Sequence, residues 1–374
     1  MTKEEESHMS FSPNGSFIIQ RQIDQACQDG SRTTTITGTY EIHRPIRIPS
    51  DFTLILNSCH LRMAKDSFCN MFVNASHDTD TGNTIGGTDR NICIEGVGRV
   101  ILDGGEYNGL SERNSLKDGR PHISVNNLIL FTNVDGFTIR GLHLRNQRWW
   151  AMNFVFCRNG RIQNIDFCSD DTWTDDDGMR YHGLGMPGDD AFHYNKIHIK
   201  NSDGIDLRRG CHDILIENIT GFTEDDTVAL TGLDGTLERM YFVDGLCPDI
   251  YNVIIRNVNS SAFCANVRLL NQSGVRLYNI LVDGVFDSSK DSPHMGRGMT
   301  AVRLGDNNMY GTRHATPDET RNITVRNVCS RAKAAMIIAG AMSDCLFENI
   351  RPFDDCTAAI ENNATVDITD YIRN

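Results

Sequence analysis

The chain has 374 residues, 39% of them hydrophobic, and a formal charge of −13. That acidity argues against general nucleic-acid binding and against attraction to an anionic membrane surface, although local arginines can still meet a polyanionic sugar. The 12 cysteines are scattered singly. With no CxxC pair they fit neither a zinc site nor a small disulfide scaffold, and free thiols packed in a core are expected.

The first ten residues carry no apolar signal segment, and no stretch reaches membrane-spanning length. With unpaired cysteines this predicts a reducing, cytoplasmic setting. Residues 1–14 read as a disordered tail and residues 15–374 as a single domain. Phe17 to Cys27 predicts a short amphipathic helix, placed to cover the open end of whatever follows. Gly38 to Ile42, Pro45 to Pro49 and Leu54 to Leu56 predict the first strands. Residues 74–90 are polar and glycine-rich and predict a loop; Asn91 to Gly105 predicts a strand broken by turn glycines.

From there the chain repeats itself. An alternating apolar run followed by Asn and another apolar residue returns at Ile162-Gln-Asn-Ile165, Ile216-Glu-Asn-Ile219, Ile255-Arg-Asn-Val258, Leu277-Tyr-Asn-Ile280, Val325-Arg-Asn-Val328 and Phe347-Glu-Asn-Ile350. Asn257 and Asn279 are 22 residues apart, as are Asn327 and Asn349; the other gaps are 54, 39 and 48. A coil of about 22 residues with loops inserted at fixed corners explains both classes of spacing. Period-2 alternation rich in Ile and Val predicts strands, and no convincing helix lies between them. The fold expected is all-β, a right-handed parallel β-helix with a short N-terminal capping helix. The repeated Asn side chains are expected to stack at a corner and serve structure.

The chemistry-bearing residues are Asp203 in Asn201-Ser-Asp-Gly-Ile-Asp206 and the pair Asp225-Asp226 in Glu224-Asp-Asp-Thr-Val. At a one-coil interval Asp203 and Asp225 should lie one above the other about 4.8 Å apart, with Asp226 beside them. Carboxylates that close cannot all ionise freely. The result is a protonated acid next to an ionised base, as glycoside hydrolysis requires. Neighbouring residues of a strand face opposite ways, so both members of the pair can face the site only at a bend.

These segments resemble the polygalacturonase family of glycoside hydrolases, family 28, pectin-active proteins with a right-handed parallel β-helix. The family's marks are NTDGxD, DD, GHG and RIK. Asn201 to Asp206 resembles the first with Ser for Thr, Asp225-Asp226 the second, and Gly96-Val-Gly-Arg-Val-Ile-Leu-Asp103-Gly104 the strand that precedes the site. The similarity spans most of residues 15–350. The resemblance implies inverting hydrolysis without a metal or other cofactor. Asp225 would be the general acid, and Asp203 and Asp226 would activate water. It departs from the family in two places. Discounting an apparent insertion, Leu233 to Asp249, the GHG position falls near Phe263-Cys264-Ala265, with no His. The RIK position matches Val302-Arg303-Leu304-Gly305, which keeps the Arg and loses the Lys. Arg303, alone or with Arg268, is then the candidate grip on an acidic sugar.

Four further residues are candidates for substrate binding. Trp149 and Trp150 offer faces for sugar stacking, with one of the adjacent pair expected to turn inward. His182 and His193 precede Asp203 and could replace the missing family His. The acidic stretch Ser169 to Gly178 lacks calcium-loop spacing and reads as a solvated loop. The expected partner is an oligosaccharide, cleaved from its ends; nucleic acid and membrane are not expected. A uronate lyase or epimerase and a non-catalytic glycan-binding β-helix are the alternatives.

Overall fold

A computed structural model describes residues 10–65, 67–105, 124–147, 150–169, 172–175, 180–182, 197–198, 203–223, 225–272, 274–288, 298–354, 356–366 and 371–373. It is a right-handed parallel β-helix. Among the described residues, a 12-stranded and a 10-stranded sheet run side by side, each strand pairing in parallel with the next coil. A third, three-stranded sheet is antiparallel and includes Thr172–Asp175 and Arg180–His182. The helix Gly15–Gln28 caps the N-terminal end and buries Ile19, Ile23 and Ala26 in the same core as the first strands. The predicted first strands are Thr33–Ile42, Ile46–Ile48 and Phe52–Met63.

The core is a set of apolar columns along the helix axis. Ile162 pairs with Ile216, Ile216 with Ile255, Ile255 with Val282, Val282 with Val325 and Val325 with Phe347, all fully buried. The Ile-x-Asn-Ile repeat follows from that packing. Ile162 and Ile165 both point inward although three residues apart, because Asn164 between them sits at φ 55 and turns the strand. Asn tolerates this left-handed conformation better than most residues. Its amide also bonds along the stack, from Asn218 to Asn164 at 3.0 Å, Asn257 to Asn218 at 3.2 Å and Asn349 to Asn327 at 2.8 Å.

Among the described residues there are two such ladders, where the sequence predicts one. Asn279 belongs to the second: it donates to Asn252 at 3.1 Å and accepts from Asn322 at 2.7 Å, while Asn252 donates to Asp213 at 2.9 Å. Gly284, at φ 83, stands where the first ladder passes the coil of Asn279. The 22-residue interval from Asn257 to Asn279 is therefore not a coil, whereas that from Asn327 to Asn349 is.

The stretch after the Val228–Gly232 strand, Leu233 to Asp249, leaves the stack as expected and carries a short helix, Thr236–Met240. It is anchored from inside. Leu237, Tyr241 and Val243 form a second buried apolar cluster with Trp150, Val155 and Phe156.

Candidate active site

Asp203, Asp225 and Asp226 sit in the turns that lead into consecutive strands of the smaller sheet, Ile205–Leu207 and Val228–Gly232. Because the Asp pair lies in a turn, strand alternation does not force its members apart. Buried hydroxyls fix that turn from beneath. Thr223 bonds to the Asp225 carbonyl at 3.3 Å and lies 3.0 Å from Thr227; Thr227 lies 3.0 Å from Ser260, which accepts from Asn266 at 2.8 Å.

The stacking differs from the expected one by a residue. The Gly204 amide donates to the Asp226 carbonyl and the Ala151 amide to the Asp203 carbonyl, both at 2.9 Å. Asp203 is thus level with Asp226, and Asp225 stands one position before that level. On the next coil the Thr227 amide donates to the Ala265 carbonyl at 3.0 Å, so Cys264 is the residue beside Asp225. One oxygen from each of Asp225 and Asp226 and the Cys264 sulfur lie within 4.8 Å of one another, close enough to share a metal ion, and Arg268 already supplies positive charge there.

Sequence reasoning missed Asp206. It projects from Ile205–Leu207, fully buried, and joins the carboxylate cluster. Its counter-ion is Arg208, 3.4 Å away, which also bonds buried Glu238 of the inserted helix at 2.7 Å. The signal was present as the last Asp of the Asn201 to Asp206 motif.

Burial, then the charges of Asp206, Asp225 and Asp226, push Asp203 well above the usual carboxylate range. Burial does the same to Asp206, against the pull of Arg208. Asp226 is raised to about 7 by burial, with Arg268 and Arg303 opposing. The cluster therefore holds protons at neutral pH, and they belong to the coupled set of carboxyls. Buried oxygens of Asp203, Asp206 and Asp226 have no hydrogen-bond partner among the described residues.

Arg268 lies 3.3 Å from Asp226 and pairs across the sheet with Arg303, so the two arginines stand side by side on adjacent coils. Burial works against the Arg268 charge; Asp226, Tyr310 and Asp225 outweigh it and raise its pKa. The ring of Tyr310, 49% exposed, lies 5.6 Å from the Arg268 guanidinium.

Of the residues expected to bind substrate, the structure therefore brings Arg268 and Arg303 to the carboxylates. Trp150 is no stacking platform: it is 3% exposed, and the Arg208 guanidinium covers its ring at 4.1 Å. Trp149 and His193 lie outside the described residues. His182 ends the strand Arg180–His182 of the small antiparallel sheet. The acidic stretch after Ser169 lies mostly outside the described residues. Asp103 of the preceding strand is structural: it bonds His60 at 3.2 Å, the Gly105 amide and Asn146.

The sequence profile of glycosyl hydrolases family 28 matches residues 40–247. Among curated proteins, no sequence matches this chain. Among solved structures, the chain is similar to the hyperthermoactive exopolygalacturonase from Thermotoga maritima, with TM-score 0.53 and 16% identity over 95% of this chain and 87% of that one. It is also similar to the tailspike protein of E. coli bacteriophage HK620 in complex with pentasaccharide, with TM-score 0.59 and 14% identity. That match covers 98% of this chain and 62% of the tailspike, so the chain spans under two thirds of the tailspike's length.

Proposed function

The chain belongs to glycosyl hydrolases family 28, and on that premise we propose that it hydrolyses a pectin-like or related acidic oligosaccharide by single displacement, acting from chain ends. Asp225 is the general acid, and Asp203 and Asp226 hold and deprotonate the attacking water. The observation that carries this reading is the buried carboxylate cluster, with Asp226 raised to about 7 beside Arg268. Burial and mutual repulsion keep a proton available for the leaving oxygen, while the arginine favours an ionised neighbour that can take one from water. Buried carboxylate oxygens without a protein partner suit groups whose work is on a ligand.

Arg268 and Arg303 form a paired cationic surface at the same corner, suited to a sugar carboxylate. Exposed Tyr310 adds an apolar ring beside them. The anchored Leu233 to Asp249 stretch and the segment carrying Tyr310 leave the stack at the C-terminal ends of two strands of the smaller sheet, Val228–Gly232 and Thr300–Gly305, with the strand Ala265–Asn271 between them. Walls of this kind favour end-on attack over an open cleft.

The test is product analysis on a panel of pectic and other oligosaccharides, with Asp225→Asn as control. The wild type should release short products from chain ends. An amide keeps the shape of the side chain but donates no acidic proton, so the variant should lose on the order of 10²–10⁴ in rate. Wild-type turnover in purified, folded Asp225→Asn would remove Asp225 from the mechanism. Rapid fragmentation of polymeric pectate into random oligomers would refute end-on attack.

A further inference from the structure

We propose that Cys264 is a positioning residue for this hydrolysis: its thiol holds the Asp225 carboxyl by an S–H···O hydrogen bond and thereby fixes which carboxyl oxygen carries the proton. The inference rests on the functional reading above. Its ground is geometric. Cys264 precedes Ala265 as Asp225 precedes Asp226, and the bond from the Thr227 amide to the Ala265 carbonyl sets these turns side by side. The sulfur and one oxygen from each of Asp225 and Asp226 fall within 4.8 Å of one another. The Cys264 turn is pinned from the following coil, where the Met299 amide donates to Phe263 at 3.0 Å and the Thr300 amide to Cys264 at 3.3 Å.

The other groups that act on Asp226 and Cys264 at this corner are Asp203, Asp206, Arg268, Arg303 and, over Arg268, Tyr310. Burial, then the negative charges of Asp225 and Asp226 and the hydrogen bond to Asp225, push the thiol well above its ordinary range. It therefore stays protonated through the working range and acts as a donor. Elsewhere in the core, thiols spend that hydrogen on the backbone, as Cys157 does on Phe131 and Cys211 on Phe154, both at 3.3 Å. At Cys264 the acceptor is a carboxyl of the reacting cluster.

A protonated carboxyl has one hydroxyl and one carbonyl oxygen, and an S–H donor bonds to the carbonyl oxygen. The acid proton of Asp225 is left on the other oxygen, where the leaving group can take it. Once it has gone, the same S–H bond stabilises the new carboxylate.

Two measurements test this. In steady-state kinetics on the oligosaccharide cleaved, Cys264→Ser keeps a donor of similar reach and should stay within about threefold of wild-type kcat. Cys264→Ala should lose about tenfold in kcat with KM unchanged. In infrared spectra, the Cys264 S–H stretch, isolated by subtracting the Cys264→Ala spectrum, should move to higher frequency in Asp225→Ala. An unmoved S–H band overturns the bond itself. A moved band with wild-type kcat in Cys264→Ala overturns the positioning role alone. Wild-type turnover in Asp225→Asn overturns the functional reading, and the S–H band still reports the contact.

Discussion

The Arg268 guanidinium lies 3.3 Å from the Asp226 carboxylate, both largely buried, and Arg303 stands beside Arg268 on the next coil. Asp226 nonetheless remains at about 7, because burial outweighs both positive charges. Arg268→Gln should therefore raise Asp226 further, since it removes the largest influence favouring the charged form. The acid limb of kcat/KM should shift to higher pH. Carboxyl NMR titration checks the same point without activity. An Asp226 titration that does not move in the variant would show that the ion pair is not what holds it down.

The raised carboxyls also make stability depend on pH, and the sign follows from linkage. Unfolded, Asp226 titrates near 3.8; folded, at about 7. Between those values the folded state keeps a proton that the unfolded chain releases, so stability falls as pH rises through that window. Asp203 and Asp206 shift in the same direction. Asp103 and Asp283 are lowered, by the bonds from His60 and Arg326, so they lose stability only below the ordinary carboxylate range. The melting temperature should therefore drop between about pH 5 and pH 7.5, and Asp226→Asn should flatten that slope. A tenfold change in proton affinity corresponds to about 1.4 kcal/mol, so Asp226 contributes on the order of a few kcal/mol. Identical slopes in the two proteins would contradict a raised Asp226.

The architecture was legible because a β-helix repeats its packing rule in its sequence. Two inward apolar residues flank an Asn that can hold a positive φ, and six copies of that pattern identified the solenoid. The assignment of Asn279 failed because both corners of the coil use the same device, and spacing alone cannot tell one ladder from the other. The level of Asp203 failed for a related reason. A one-residue difference in coil length is invisible until the backbone bond from Gly204 to Asp226 fixes the register. Trp150 reads in sequence as a candidate platform, but the inserted stretch brings Leu237 and Tyr241 against it. Asp206 was hidden by strand alternation: outward-pointing Asp is normally solvated, and here the same insertion supplies Glu238 to hold its partner Arg208.

That buried set carries a stability prediction of its own. Arg208 bonds Asp206 and Glu238 with 4% of its side chain exposed, against 0% and 1% for its partners. Arg208→Met keeps much of the length over Trp150 but leaves the buried Asp206 and Glu238 side chains without their cationic partner. Breaking a buried pair in this way typically costs about 3–5 kcal/mol. The loss should show as a lower unfolding midpoint. An unchanged midpoint would show that the pairs made by Arg208 contribute no net stability.

The stereochemical course follows from where the carboxylates stand. Retention requires a nucleophile and an acid about 5–5.5 Å apart on opposite sides of the bond being cleaved, while inversion usually places acid and base roughly 6.5–9.5 Å apart with water between them. One oxygen of Asp225 and one of Asp226 lie within 4.8 Å of each other. Adjacent in one turn, they present themselves to the same side of a sugar and cannot straddle its anomeric carbon as acid and nucleophile. Asp203 is level with Asp226 on the preceding coil. In the proposed mechanism these two hold the attacking water, and its direct attack, with the proton supplied by Asp225, would invert the anomeric centre. NMR of the first-formed product, recorded before mutarotation, should show the configuration opposite to that of the substrate. Retention, or a glycosyl group trapped covalently on Asp225 or Asp226, would rule out single displacement by this cluster.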